Sequence, residues 1–111
     1  MNHYEIWVDL APGAKDLEFV AAVRAYLGHI QAQGKLEEYT IRRRKFGFGP
    51  SDLGEFHITI SFRDLAQLDA AFFVAATRDE VVEPLHHAVY SRVCNYKSAL
   101  YRDFPDEVRP I

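Results

Sequence analysis

Tyr4-Glu5-Ile6-Trp7-Val8-Asp9-Leu10 and Glu55-Phe56-His57-Ile58-Thr59-Ile60-Ser61-Phe62 are the segments that decide the fold. In both, one set of alternate residues is apolar, the period of a half-buried strand. Each runs on into a helix that opens at an aspartate, Asp16 in the first unit and Asp64 in the second. Each strand–helix unit leaves room for one further strand behind it. The order reads β-α-β-β-α-β: an α+β, ferredoxin-like arrangement with an antiparallel sheet and two helices on one face.

The intervening residues fit this order. Ala11-Pro12-Gly13-Ala14 breaks the first strand. Asp16 is expected as N-cap, Leu17, Val20, Val23, Leu27 and Ile30 as the buried stripe, and Gly34 as C-cap. Leu36–Phe48 reads as an edge strand, and the glycine-rich stretch 47–54 as a loop. Asp64 with Gln67 has the spacing of a capping box. Leu65, Leu68, Ala71, Phe72 and Ala75 form the second stripe. Asp79–Glu83 reads as a linker ended by Pro84, Leu85–Val93 as the fourth strand, and residues 94–111 as a C-terminal arm. Residues 1–111 then make one domain, with strands one and three as a central, parallel pair.

Composition narrows the function classes. The 111 residues are 49% hydrophobic and 14% aromatic, enough for a core, and so small a domain gains from self-association. Sixteen acidic against thirteen basic residues give a net charge of −3, which argues against a nucleic-acid partner. Cys94 is the lone cysteine, so no internal disulfide forms, and an inert, buried thiol is expected. Met1–Glu5 shows no signal-peptide pattern, and no apolar run nears the roughly 20 residues of a membrane span. The expectation is a cytoplasmic protein with no membrane partner.

Alternation places His57, Thr59 and Ser61 on the face away from the helices, with Glu5, Trp7 and Asp9 beside them. With Val89 and Val93 under the helices, His86, Ala88, Tyr90 and Arg92 join that same face. The surface is too apolar at Trp7 and Tyr90 to be indifferent to water, and too polar to be a core. In this it resembles the dimeric α+β barrel superfamily, in which ferredoxin-like protomers pack sheet against sheet. Gly47-Phe48-Gly49-Pro50, Gly54-Glu55-Phe56-His57, Arg63-Asp64-Leu65-Ala66-Gln67-Leu68-Asp69 and Leu100-Tyr101-Arg102-Asp103-Phe104-Pro105-Asp106 resemble, within it, a small bacterial family of unknown function. The resemblance implies a homodimer with a pocket between each sheet and its helices or inside the barrel. No cofactor is expected. Cofactor-free monooxygenases and haem-degrading enzymes share the superfamily, but their Asn, Trp and His arrangements have no residue-by-residue match here.

The candidate ligand contacts are Trp7, His57, His86, Tyr90 and Arg44. His57 is the candidate catalytic residue, because imidazole can exchange protons near neutral pH. The other reading is a histidine hydrogen-bonded within an interface. His86 and His87 are strand neighbours, so they point apart, and no metal-ligand spacing is present; only a meeting of His57 with His86 across the sheet would supply one. Arg42/Arg44 or Arg43/Lys45 would face the barrel and bind a carboxylate or phosphate, or else line a solvated edge. Lys45-Phe46-Gly47-Phe48-Gly49 superficially resembles an RNA-recognition motif but lies off the third strand, where stacking aromatics belong. Asp9-Leu10-Ala11-Pro12-Gly13 resembles the turn of ACT-type amino-acid sensors with one residue more. Tyr101 and Phe104 read as anchors by which the arm docks on a partner. Three functions stay open: a dimer binding a small anionic or aromatic molecule on the sheet face, an oxygenase- or isomerase-like enzyme using His57, and a structural, regulatory or ACT-like dimer without catalysis.

Overall fold

β1 (Asn2–Leu10) and β3 (Phe56–Phe62) form the centre of a four-stranded sheet, with β2 (Glu38–Arg43) beside β3 and β4 (Val93–Arg102) beside β1. The computed structural model describes residues 1–105. Helices α1 (Asp16–Ala32), α2 (Leu65–Ala76) and α3 (Val82–Tyr90) complete the described elements. The strand order β2-β3-β1-β4 is the ferredoxin-like order.

Every strand pairing is antiparallel, the central one included, with Trp7 opposite His57 and Glu5 opposite Thr59. The expected parallel centre is therefore wrong, and connectivity shows why. A crossover helix keeps β2 parallel to β1, and the β2–β3 hairpin reverses direction, so β3 must oppose β1.

The second half of the chain departs most from the sequence reading. Val82–Tyr90 is a helix, and the fourth strand starts at Val93. Asp79 caps that helix: its carboxylate accepts the backbone N–H groups of Val81 (3.0 Å) and Val82 (3.2 Å). Pro84 lies in the first turn, where a missing N–H costs nothing, so it helps to open a helix instead of ending a linker. Residues 94–102, expected in an arm, are the sheet's edge strand, paired with β1 along its length. The arm's last residues, 106–111, lie outside the described residues.

The helix ends show smaller shifts. Lys15 occupies the N-cap of α1 without a side-chain bond, so Asp16 is the first helical residue; its carboxylate accepts from Leu17 N–H and from Arg43. Gly34, at φ +73°, takes the left-handed position just past α1, and Lys35 N–H closes on Ile30 C=O at 3.1 Å. Asp64 caps α2 as expected, accepting Gln67 N–H at 2.8 Å. The Gln67 side chain, in a residue only 5% exposed, accepts from Arg63 N–H (2.7 Å) and donates to Gly34 C=O (3.0 Å). One amide thus ties the start of α2 to the end of α1.

The core lies between sheet and helices. Phe56, Ile58, Ile60 and Phe62 of β3 are buried there with Val8, against Phe19, Val23, Leu27 and Ile30 of α1 and Val82 of α3. Each such side chain contributes about 1.5–3 kcal/mol of burial. The α1 stripe runs through Phe19, and Leu17 is exposed. Gly54 is held against β1: a Cβ there would lie 2.4 Å from the Val8 carbonyl carbon. No helix among the described residues is long and apolar enough to cross a membrane.

Candidate functional site

The sheet has two faces of different chemistry, and the expected site residues divide between them. The face away from the helices carries Trp7, His57, Glu5 and Thr59. Antiparallel pairing sets Trp7 opposite His57, and their rings stack with centroids 5.1 Å apart and planes 4° from parallel. The Glu5 carboxylate, whose side chain is 15% exposed, bonds the His57 Nε2 (2.9 Å) and accepts the Thr59 hydroxyl (2.6 Å). Arg42 and Lys97 flank this cluster, opposite His57 and Trp7 in register.

Further along the same face, His3 Nδ1 meets Ser61 Oγ at 2.9 Å and His3 Nε2 meets Asp103 at 2.7 Å. The hydrogen-bond order is that of a serine–histidine–aspartate triad, but the burial is reversed. Ser61 is buried and Asp103 is exposed, whereas a nucleophile must face its substrate. Asp103 also pairs with the N-terminal amine at 3.2 Å, and these contacts hold its carboxyl below the usual carboxylate range, the His3 bond most of all. The group fastens the end of β4 to the start of β1. Nothing in the strand periodicity indicated it.

His86 and Tyr90 are not on this face. Because their segment is helical, they point into the space between helices and sheet, with the sheet between them and Trp7 and His57. That separation removes the one route to a metal site by His57 and His86. Arg44 is also elsewhere: its guanidinium donates to the carbonyls of Leu53 (2.6 Å), Pro50 (3.0 Å) and Gly54 (3.4 Å). It braces the loop after β2 and does not face a barrel. The ACT-like aspartate, Asp9, is engaged as well. It accepts from Asn95 and from Glu55 N–H, bonds that lower its pKa in that order and that join β1 to both neighbours beside the β1–β4 bulge.

The space between helices and sheet is a cleft of about 460 Å³. Its walls are the apolar residues of β1 and β3, the inner sides of α1 and α2, and four tyrosines, Tyr4, Tyr26, Tyr90 and Tyr96, with His86. No carboxylate, lysine or arginine is among the described lining residues. His86 stacks on Tyr26 at 5.1 Å and meets Tyr90 edge-on at 5.0 Å. Burial lowers the His86 pKa, against a smaller opposing pull from Glu83. Burial likewise raises Tyr26, with Tyr4 and Glu83 adding to it. The Tyr4 and Tyr96 hydroxyls hydrogen-bond to each other, and burial pushes Tyr96 up to about 12. Near neutral pH Tyr26, Tyr96 and His86 are therefore uncharged. Tyr4, Tyr26 and Tyr96 went unnoticed as site residues because alternating or helical apolar positions read as core.

The cleft opens beside β4. Tyr96 of β4 is exposed there, as are the lining residues Tyr90 and Phe72, and Leu100 of the same strand is exposed too.

Comparisons with known proteins follow the fold. The structure is similar to that of SnoaB, a cofactor-independent oxygenase from Streptomyces nogalater, in a point-mutant form: TM-score 0.70, 10% identity, 95% of this chain and 97% of that one. It is similar to At3g17210 from Arabidopsis thaliana, with TM-score 0.72, 6% identity, and coverage of 96% and 99%. A dimeric ferredoxin-like protein of unknown function from Jannaschia sp. CCS1 matches with TM-score 0.66, 10% identity, and coverage of 92% and 98%. No curated protein matches the sequence. The model of the family of unknown function DUF6614 matches residues 1–110, so the chain belongs to that family.

Proposed function

We propose that this member of the DUF6614 family is a homodimer that binds a small, uncharged, largely aromatic molecule in the cleft of each protomer. The observation that carries the reading is the cleft itself: about 460 Å³, walled by aliphatic and aromatic side chains, with a few hydroxyls and one imidazole as polar points. This size and composition suit a small ring-bearing ligand. An anionic ligand suits it less, since no described cation lines it to offset the cost of burying charge. The cluster of polar and aromatic groups on the opposite face, Trp7 with His57 and Glu5, suits contact with a second copy. Similar structures described as dimeric support that arrangement.

The test uses 2-naphthol as a flat probe, with thermal unfolding and equilibrium dialysis. A probe that binds only the folded chain stabilises it by about 2.7 kcal/mol at a hundredfold excess over Kd. Ala75→Trp, which fills the cleft, should abolish that stabilisation; binding unaltered by the filled cleft would refute the site.

A second reading has one specific observation behind it. Glu5 orients His57 at 2.9 Å, the relation of a general base to its supporting carboxylate. In that case turnover requires an open sheet face. His57→Gln would then abolish turnover in a dimer of unchanged mass, and retained turnover would exclude the role.

A further inference from the structure

The cleft contains more than a binding surface needs. His86 is its one described imidazole, and no described group bonds either ring nitrogen. The ring is held instead by Tyr26 and Tyr90. A lone pair is thus free to accept a proton from a molecule in the cleft, and burial keeps the ring in its neutral, accepting form.

The hydroxyls supply the complementary half. The Tyr96 hydroxyl is hydrogen-bonded to Ser98 and to Tyr4. Three hydroxyls carry three protons, and these two bonds use two of them. The third has no described acceptor, and Tyr4, at one end of this chain of hydroxyls, lies at the wall of the cleft where a ligand can receive it. Tyr26 stacks on His86 and lines the same cleft as Tyr4.

We infer that the cleft catalyses proton transfer at carbon, with His86 as base and the Tyr4 hydroxyl as donor to a substrate carbonyl. The inference rests on the cleft being the ligand site. The substrate class is an uncharged cyclic or aryl ketone with a C–H bond next to the carbonyl. His86 takes that proton and becomes an imidazolium. The C–H electron pair forms the enolate C=C bond, and the carbonyl π pair moves onto oxygen. The oxygen accepts the hydrogen bond from Tyr4. Return of the proton to the same carbon gives exchange, and return to a conjugated carbon gives isomerisation. No oxidant, metal or cofactor enters the balance.

The probe is 2-tetralone in D2O. Deuterium incorporation next to the carbonyl is followed by NMR, and binding by the thermal shift of the same samples. The expected acceleration over buffer is about 10²-fold or more. His86→Gln should lose it while still being stabilised by the ketone. Tyr4→Phe should lower the exchange rate by about 10²-fold, the effect of removing one donor from an oxyanion site. His87→Gln controls for adventitious catalysis by an exposed imidazole and should keep the full rate. If 2-tetralone stabilises the protein but exchanges at the buffer rate, or if His86→Gln keeps the acceleration, proton transfer is overturned and the binding reading stands. If neither 2-tetralone nor 2-naphthol binds, both readings fall together.

Discussion

The Trp7 indole lies flat on the His57 imidazole, and Glu5 holds the same imidazole from its Nε2 edge. Trp7 is the only tryptophan, so its emission reports on this face alone. With a second copy packed there, dilution should shift the emission to the red as the dimer separates, in step with mass by light scattering. Trp7→Ala should weaken association by on the order of 2 kcal/mol, the scale of a central aromatic in an interface. A monomeric mass at all concentrations, with constant emission, would remove the dimer.

Gln67 joins two helix ends through one buried amide. Gln67→Leu removes the bonds to the Arg63 N–H and the Gly34 carbonyl, each worth about 0.5–1.5 kcal/mol. Asp64→Ala removes only the cap and should cost about 1 kcal/mol. Urea unfolding of the two variants should therefore rank Gln67→Leu as the more damaging.

Gly54 has room for no side chain, because Val8 backbone atoms lie 2.4–2.5 Å from where its Cβ would be. Gly54→Ala must push β3 away from β1, at a cost of about 1–3 kcal/mol or more. The nearby Gly47→Ala meets nothing within 4 Å, though its φ of +65° still adds strain. Thermal midpoints should fall for both, with the larger fall at Gly54 accompanied by faster amide exchange along the β1–β3 ladder.

Burial of His86 makes the fold sensitive to acid. Its folded pKa lies below the ordinary 6.5, so the unfolded chain binds a proton that the folded chain does not. Stability then falls as pH drops below that value, and the fall ends once the folded imidazole is protonated too. His86→Gln should flatten this part of the stability–pH curve. An unchanged slope would mean that the ring is better solvated than its stacking between Tyr26 and Tyr90 indicates.

Tyr96 acts at the other end of the scale. Its folded pKa is raised from 10.0 to about 12, chiefly by burial, so its contribution is complete below the lower value and is lost as pH climbs through the higher one. In an alkaline absorbance titration the six tyrosines should not ionise together. Tyr96→Phe should remove a late-ionising group, and Tyr4→Phe should bring Tyr96 earlier.

The first half of the fold was legible because each of its elements has one wet and one dry side. Phe56, Ile58, Ile60 and Phe62 alternate cleanly, and Asp64 with Gln67 announces a helix. The second half has no such contrast. Val82, His86 and Val89 keep a helical spacing, but a proline and two adjacent histidines obscure it. β4 is exposed on both faces for much of its length, so its sequence need not alternate. Reading that region one element out of step carried His86 and Tyr90 to the wrong side of the sheet. The open-face cluster survived the mistaken strand direction because reversing a strand about its partner does not change which alternate residues share a face.

β4 is both the boundary of the sheet and the doorpost of the cleft. One of its long sides is paired to β1, and the other has no partner among the described strands. Entry to the cleft is thereby linked to the state of a free edge: a chain that zipped onto β4 would stand beside the entrance and narrow it, while fraying of β4 from β1 would widen it. Ligand traffic and strand addition would then compete for the same ten residues.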